Sequence, residues 1–284
     1  MTDSRAISIH DRLLNHAKER GEDFTVTLRR YAIERFLYRL SISPYRERFL
    51  LKGALLFDLW FNLPLRPTRD ADFLGLGSLD PESLAQTVRE ICSIPGEDGI
   101  LFDQGSVRVS EIREEANYGG LRAKLLARLG SARATLQLDV GFGDAVTPGP
   151  ERARCPTILA DMPAPELLAY PRATVIAEKL EAIVKLGIAN SRMKDYFDLL
   201  ALSREPAPGQ LSAAIAATLS RRGTALPGEL PIGLSRELAE DRQKQTQWSA
   251  FLSRNRLEGP GLPEAVDRIA AVFGPFLLQA RRSR

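Results

Sequence analysis

The chain has 284 residues, of which 44% are hydrophobic and 26% are charged, a balance typical of a globular protein large enough to bury a core. Charges interrupt the apolar runs well before the roughly 18 residues that a bilayer span needs, so we expect no membrane segment, no secretory signal and a cytoplasmic location. The formal net charge of +3 excludes a general polycation, and two isolated cysteines without metal-type spacing suit a reducing compartment.

The first half of the sequence predicts a mixed α/β region. Helical spacing of apolar residues predicts helices up to Ser43, and Phe49-Leu-Leu-Lys-Gly53 then leads into a short apolar helix. Strands are predicted at 70–76, 106–112, 121–129 and 134–142, with a helix at 81–94 and a hairpin turn at Gly130-Ser131.

The second half predicts mainly helices. A segment rich in Gly and Pro, 144–156, reads as a linker. Helix-period apolar positions follow at 172–188, 194–203, 210–222, 235–253 and 263–281. We therefore expect an α/β (α+β), bilobal protein, with an N-terminal lobe over 1–150 that combines a mixed sheet with flanking helices, and a mainly helical C-terminal lobe over 151–284.

Two carboxylates lie two residues apart at the start of the first of these strands. Side chains alternate between the faces of a strand, so Asp70 and Asp72 would point the same way while Ala71 and Phe73 face the core. Two carboxylates so close repel each other unless a cation lies between them, and Mg²⁺ suits such a pair together with water and substrate phosphates. Alone, the pair is more often a solvated strand edge.

A third carboxylate, Asp139, stands on the polar side of the alternating run 134–142. If this strand neighbours the Asp70 strand, Asp139 completes an acidic triad that could hold two metal ions or act as general base. A solvent-facing aspartate on a half-exposed sheet is the equal alternative.

Three weaker features accompany the carboxylates. Lys52-Gly53 precedes a helix start, where backbone N–H groups could meet phosphate oxygens, although a simple turn explains the dipeptide as well. Lys179 lies on the apolar stripe of its helix and could bind triphosphate, or reach solvent along the core. Asp195, near the next helix start, is explained as cheaply by capping.

Arginines cluster locally, and such clusters are candidate phosphate contacts, although a charge run is more often a solvated face. The clusters consist of Arg29, Arg30, Arg35, Arg39, Arg46 and Arg48 near the N-terminus, and of Arg281, Arg282 and Arg284 at the end.

Four ordered segments together resemble the AbiEii/AbiGii toxin family, the nucleotidyltransferase-fold toxins of abortive-infection and toxin–antitoxin systems that include the MenT-type toxins. They are Leu51-Lys-Gly53, Arg66-Pro-Thr-Arg-Asp-Ala-Asp-Phe73, Ile176-Ala-Glu-Lys-Leu-Glu-Ala182 and Arg192-Met-Lys-Asp-Tyr-Phe-Asp-Leu199. The resemblance implies a nucleotidyltransferase-type mixed sheet.

The resemblance also implies roles for individual residues. Asp70 and Asp72 match the family's pair for Mg²⁺, with Mn²⁺ as an alternative ion, and Asp139 falls where the third carboxylate of the fold would lie. Lys179 matches a lysine that contacts triphosphate, and Asp195 an essential aspartate. The remaining matched positions, all expected to bind nucleotide, are Lys52, Gly53, Arg66 and Thr68. Thr68 is in addition a candidate site of modification by a cognate antitoxin.

The implied reaction transfers a nucleoside monophosphate, from CTP or UTP, to the 3′ end of tRNA with release of pyrophosphate, which blocks translation. Two alternatives stay open: an acceptor hydroxyl on a protein or small molecule, and a degenerate interaction module without catalysis. The module is favoured by one departure, because relatives carry a second glycine and a hydroxyl where this chain has Ala54 and Leu55.

Overall fold

The computed structural model describes residues 4–61, 66, 68–112 and 119–281. Arg282 and Arg284 of the C-terminal arginine cluster lie outside the described residues. None of the described helices combines the length and the apolar character that crossing a bilayer requires. The described chain divides into two compact units.

The first unit comprises the described residues of Met1–Pro64, Thr68–Gly143 and Glu151–Ala169. Its helices are α1 (Ser4–Glu19), α2 (Phe24–Ser41), α3 (Leu55–Phe61) and α4 (Pro81–Ser93). Its strands are β1 (Phe49–Lys52), β2 (Asp70–Gly75), β3 (Ile100–Ile112), β4 (Gly120–Leu129), β5 (Ala132–Phe142), β6 (Glu151–Arg154) and β7 (Glu166–Ala169). The described strands form one seven-stranded mixed sheet in the order β3-β4-β5-β2-β1-β7-β6, with β2–β5 and β1–β7 parallel.

Alternation of side chains explains how this sheet is covered. Along β4 and β5 every second residue is buried, including Leu125, Leu136 and Leu138, and α1, α2 and α4 pack against these strands and β3. The intervening residues form a polar face. The predicted hairpin turn between the two strands is confirmed, with Gly130 at a φ of 58° that favours glycine.

The boundary between the lobes, predicted after residue 150, is wrong in position. The segment predicted as a linker contains β6, which pairs with β7, while β7 pairs in parallel with β1, so 151–169 belongs to the first unit. Both strands have four residues, and β6 has the sequence Glu-Arg-Ala-Arg at the sheet edge. An edge strand this short and polar has no hydrophobic alternation to reveal it.

The second unit comprises the described residues of Leu65–Pro67, Asp144–Pro150 and Tyr170–Arg284. As predicted, it is mainly helical. Its helices are α5 (Arg172–Leu186), α6 (Met193–Leu202), α7 (Leu211–Arg221), α8 (Arg236–Glu240), α9 (Arg242–Asn255) and α10 (Leu262–Gln279). The single helix predicted at 235–253 divides into α8 and α9 because the Asp241 side chain caps a new helix by accepting from the backbone N–H of Lys244.

Two arginines of the N-terminal cluster are structural rather than candidate phosphate contacts. Arg35 is 0% and Arg39 is 2% exposed. Arg39 donates to both carboxylate oxygens of Asp98, at 2.7 and 3.1 Å, and Arg35 donates to Glu34 and to a backbone carbonyl. The charge run predicted a solvent-facing surface there, and for these two residues that prediction was wrong because buried partners neutralise them.

Candidate active site

The pair Asp70 and Asp72 opens β2, an interior strand between β5 and β1. Both aspartates are half-buried, while Ala71 is 0% and Phe73 is 2% exposed. The alternation therefore places the two carboxylates on one face of the sheet and the apolar residues on the other, as the sequence predicted.

Four charged residues stand in one line across four neighbouring strands. Lys52 of β1 is in register with Asp72, Asp72 with Asp139 of β5, and Asp139 with Arg122 of β4. Adjacent strands lie about 4.8 Å apart, so the line alternates cation, two carboxylates and cation at close range. The expectation that the Asp139 strand neighbours the Asp70 strand is confirmed.

Arg122 holds Asp139 through two hydrogen bonds. Its Nε donates to Oδ1 at 2.8 Å and its Nη2 to Oδ2 at 2.7 Å. The hydrogen bond to Asp139 raises the pKa of Arg122, and the charges of Asp139, Asp70 and Asp72 add to this against the opposing effect of burial. Arg122 thus compensates charge on all three carboxylates. No pattern in the sequence marks this residue, since only the β4–β5 register places it beside Asp139.

Position 53 requires a glycine because the backbone there lies very close to Asp72. It has a φ of +74°, and a Cβ built there would lie 2.0 Å from Oδ2 of Asp72. Lys52 is also near the line of charges, because a Cβ on Gly141 would lie 3.6 Å from its Nζ. A side chain at position 53 would displace the Asp72 carboxylate, so this glycine leaves room for Asp72. Its part in nucleotide binding stays a prediction.

Asp70 and Asp72 offer the hard carboxylate oxygens that Mg²⁺ prefers. Within the described ranges no group of three or more acidic, histidine or cysteine side chains is arranged to hold a metal ion, and both oxygens of Asp139 accept from Arg122. These residues fit Mg²⁺ or Mn²⁺ as a two-carboxylate site whose other ligands come from substrate and water. Asp139 as a third ligand stays a prediction, which requires Arg122 to release it.

A second charged cluster lies within the second unit, where α5 meets α6. The Lys179 Nζ donates to Oδ1 of Asp195 at 3.1 Å and to Oδ2 of Asp198 at 2.6 Å. Arg66 donates to both oxygens of Asp198, at 2.9 and 3.1 Å, and Arg192 lies 2.7 Å from Asp195. The side chains of Lys179, Asp195 and Asp198 are 12%, 1% and 0% exposed.

Ion pairs favour the charged forms of both Lys179 and Asp195. Burial opposes the charge on Lys179, but Asp198 and Asp195 outweigh it and raise the lysine pKa. Burial likewise opposes ionisation of Asp195, yet Lys179 and Arg192 lower its pKa. The Lys179 amine is ion-paired instead of extending into solvent, so that alternative was wrong. Asp195 lies in the first turn of α6, where a carboxylate favours the helix dipole, and it also pairs with Lys179 and Arg192.

Asp198 was missed as a member of the cluster, although it lies in the last recognised segment. Its position, three residues after Asp195 on one helix face, was the available signal. Thr68, in the first unit, is half-buried and donates from Oγ1 to the backbone carbonyl of Asp70 at 3.2 Å. The hydroxyl therefore stands at the entrance to β2.

The candidate residues fall into two sets by unit. Those of the first unit are Lys52, Gly53, Thr68, Asp70, Asp72 and Asp139; those of the second are Arg66, Lys179 and Asp195. The first set combines carboxylates with cations on one face of a sheet, which can bind a metal ion and phosphate. The second is a buried network that fixes a lysine and an arginine in place.

Comparison with known proteins shows the family. Residues 35–272 match the family model of the nucleotidyl transferase AbiEii toxin, type IV TA system. A search of curated proteins found no match.

Two solved structures from one bacterium share the fold. A candidate nucleotidyltransferase from H. pylori has 14% identity and a TM-score of 0.52, with 91% of this chain and 97% of that chain covered. JHP933 from Helicobacter pylori has 13% identity and a TM-score of 0.50, with 100% and 96% covered. The mixed α/β architecture is thus shared with both of these structures.

Proposed function

This chain belongs to the AbiEii nucleotidyl transferase toxin family of type IV toxin–antitoxin systems, and we propose that it transfers a nucleoside monophosphate, from CTP or UTP, to the 3′ end of tRNA. The proposal rests on the acidic pair Asp70 and Asp72, whose carboxylates lie on one face of an interior strand. Lys52 and Arg122 lie at the two ends of the line of registered residues that runs through Asp72, which we call the Asp72 line. A tRNA blocked at its 3′ end cannot be aminoacylated, so translation stops.

Asp70 and Asp72 are the residues that would hold Mg²⁺. When bound, the ion would neutralise negative charge on the triphosphate and the charge that develops during transfer. Lys52, in register with Asp72, brings a positive charge to the same face, which favours a phosphate group there.

The transfer is an in-line displacement. The acceptor hydroxyl oxygen forms a bond to the α-phosphorus, and the bond from that phosphorus to the oxygen bridging to the β-phosphate breaks. The electron pair leaves with pyrophosphate, and we assign the hydroxyl proton to Asp139. Support for Asp139 comes from its register beside Asp72. This role requires Arg122 to give up one of its two bonds to the carboxylate.

Lys179 and Arg66 are assigned to the triphosphate, with Asp195 and Asp198 as the groups that position them. Support comes from the ion pairs, because two carboxylates hold the Lys179 amine and one holds the Arg66 guanidinium in a fixed fork. A fixed cation loses little freedom when it meets phosphate.

A toxin of this family implies an antitoxin partner. We propose Thr68 as the residue that such a partner modifies, because its hydroxyl stands two residues before Asp70 and bonds to the Asp70 carbonyl. A phosphate there would add about two negative charges beside the acidic pair and oppose triphosphate binding.

The test supplies all four triphosphates labelled at the α-phosphate, Mg²⁺, and separate RNA, protein and small-molecule fractions. We expect label from CTP or UTP in small RNA, and none with Asp72→Asn. Label in the protein or small-molecule fraction would show that the acceptor is a protein or a small molecule. If the protein binds nucleotide but no fraction is labelled, the transferase is contradicted and the interaction module is favoured. The presence of Ala54 where relatives carry a glycine also favours that module.

A further inference from the structure

The face of the sheet that bears Asp70 and Asp72 continues across β5, β4 and β3 as a strongly basic surface. We call it the basic sheet face and define it by the side chains of Arg108, Arg122, Lys124, Arg128 and Arg133. The proposed reaction assigns no role to four of these five residues.

The strand register places these side chains together. Asp70 is in register with Gln137, Gln137 with Lys124, and Lys124 with Arg108, which forms a second line parallel to the Asp72 line. Further along the hairpin Arg128 is in register with Arg133. Because registered residues share a face, all of these cations lie on the side of the sheet that bears the acidic pair.

The basic sheet face is open to solvent, unlike the opposite side. Arg108, Lys124, Arg128 and Arg133 are all exposed, whereas the alternate residues of β4 and β5 are buried under α1, α2 and α4. These cations are therefore available to a partner without rearrangement of the core.

The charge of this face is one-sided. On β3, β4 and β5 it carries five cations and two carboxylates, Asp103 and Asp139, so the formal excess on these three strands is three positive charges; Asp70 and Asp72 lie beyond them on β2. The contact of Arg128 with Asp103 is 3.4 Å long and exposed, and pairs of this kind contribute little. A partner dense in negative charge complements such a surface.

We propose that the basic sheet face is the docking surface for the RNA acceptor, whose backbone phosphates lie on Lys124, Arg128, Arg133 and Arg108 while its 3′ end reaches Asp70 and Asp72. This inference rests on the proposed function. The acidic pair and the cations share one continuous face, so an acceptor whose end reacts at β2 must extend over an adjoining surface, and this one is basic.

The composition of the face favours RNA over an acidic protein. Protein interfaces are built around a buried apolar centre, but the centre here is mainly polar: Lys124, Gln137 and Thr135 surround one half-buried leucine, Leu126. An exposed leucine, Leu101, lies at the far edge on β3. No described side chain of the basic sheet face is aromatic, so we expect contacts to the phosphate backbone instead of base stacking.

The test compares two triple variants of equal charge change in the full-length protein. The first is Lys124→Gln with Arg128→Gln and Arg133→Gln, all exposed and none assigned to the reaction. The second, a control on other parts of the first unit, is Lys18→Gln with Arg152→Gln and Arg154→Gln, also exposed. Binding of bulk tRNA is measured by fluorescence anisotropy from about 50 to 200 mM salt, alongside CTP and UTP binding and thermal unfolding.

We expect the first variant to bind tRNA at least about tenfold more weakly at 150 mM salt and to lose about 2 from the slope of log K against log salt, since each phosphate contact contributes roughly 0.7. Its triphosphate binding and unfolding temperature should match wild type, and the control variant should keep the wild-type slope.

Three results overturn the inference in distinguishable ways. If wild type binds and labels RNA but the first variant keeps the wild-type slope, the docking surface is elsewhere and the proposed function stands. If wild type binds triphosphate but neither binds nor labels RNA, the RNA acceptor itself is wrong and the docking surface with it. Labelling of an acidic protein that depends on the same three residues would also overturn the assignment to RNA.

Discussion

The guanidinium of Arg122 holds both carboxylate oxygens of Asp139, at 2.8 and 2.7 Å. The same guanidinium is within electrostatic reach of Asp70 and Asp72. An arginine therefore already supplies positive charge to the three carboxylates that were predicted to bind metal. A divalent cation and Arg122 must compete for Asp139, because a carboxylate that gives both oxygens to a guanidinium has little left for a metal ion.

Replacement of Arg122 tests this competition. In Arg122→Gln the carboxylates lose a compensating charge, so Mn²⁺ should bind about tenfold more tightly in the absence of nucleotide. Free Mn²⁺ measured by electron paramagnetic resonance gives the affinity directly. Arg128→Gln, an exposed change on the same strand, should leave it near wild type. Equal or weaker binding by Arg122→Gln would show that the arginine does not compete with metal.

Substitution of Gly53 should disturb the acidic pair. In Gly53→Ala the new Cβ would lie 2.0 Å from Oδ2 of Asp72, so the carboxylate must move. We expect Mn²⁺ affinity to fall at least about tenfold and transfer to fall on the order of a hundredfold, because misplacement by about 1 Å is costly.

Gly77→Ala is the matched control for Gly53→Ala. Gly77 has a φ of +83° and nothing within 4 Å of its built Cβ. Both variants should lose about 1 kcal/mol of stability from the left-handed backbone, and the control alone should keep metal binding and transfer. Similar losses of metal binding in the two variants would assign the effect to the backbone and not to Asp72.

Loss of the Lys179 amine should destabilise the second unit. Lys179→Met leaves Asp195 and Asp198 buried with one compensating charge fewer, which costs about 3–5 kcal/mol in free energy of unfolding. Urea unfolding gives this quantity. Lys185→Met changes an exposed lysine of the same helix and should cost less than about 0.5 kcal/mol. A small loss in Lys179→Met would mean that the amine contributes little to the fold and is kept for substrate.

Acid should remove the contribution of Asp195. Its pKa is lower in the folded protein than in the unfolded chain, so its stabilising effect is complete above about pH 4 and disappears as pH falls through the folded value. The stability difference between wild type and Asp195→Asn should therefore shrink below about pH 4 in urea unfolding. A difference that stays constant down to pH 2 would contradict the lowered pKa.

The sequence was sufficient for features that depend on local pattern. Alternation predicted β4 and β5 and the shared face of Asp70 and Asp72, and helical spacing predicted α4 and α5. The strands β6 and β7 were not predicted because a strand of four residues is too short to show a periodic pattern, and the lobe boundary was misplaced with them.

Features that depend on which strands pair could not be predicted. Arg122 is 17 residues from Asp139, and only the antiparallel register brings the two together. The charge of Arg39 predicted a surface position, yet Asp98, 59 residues away, neutralises it in the core. Long-range partners of this kind decide whether an arginine is structural or available to phosphate. The residue type alone does not reveal which partner an arginine has.

The most direct test of the central claim follows the label of the triphosphate. UTP or CTP labelled at the α-phosphate, and separately at the γ-phosphate, is incubated with Mg²⁺, bulk tRNA and either wild type or Asp72→Asn. Nucleotidyl transfer predicts α-label in the RNA with wild type, γ-label only in released pyrophosphate, and no transfer with a folded Asp72→Asn protein. Transfer of γ-label to the RNA, or equal α-labelling by Asp72→Asn, would contradict a nucleotidyltransferase that depends on the acidic pair.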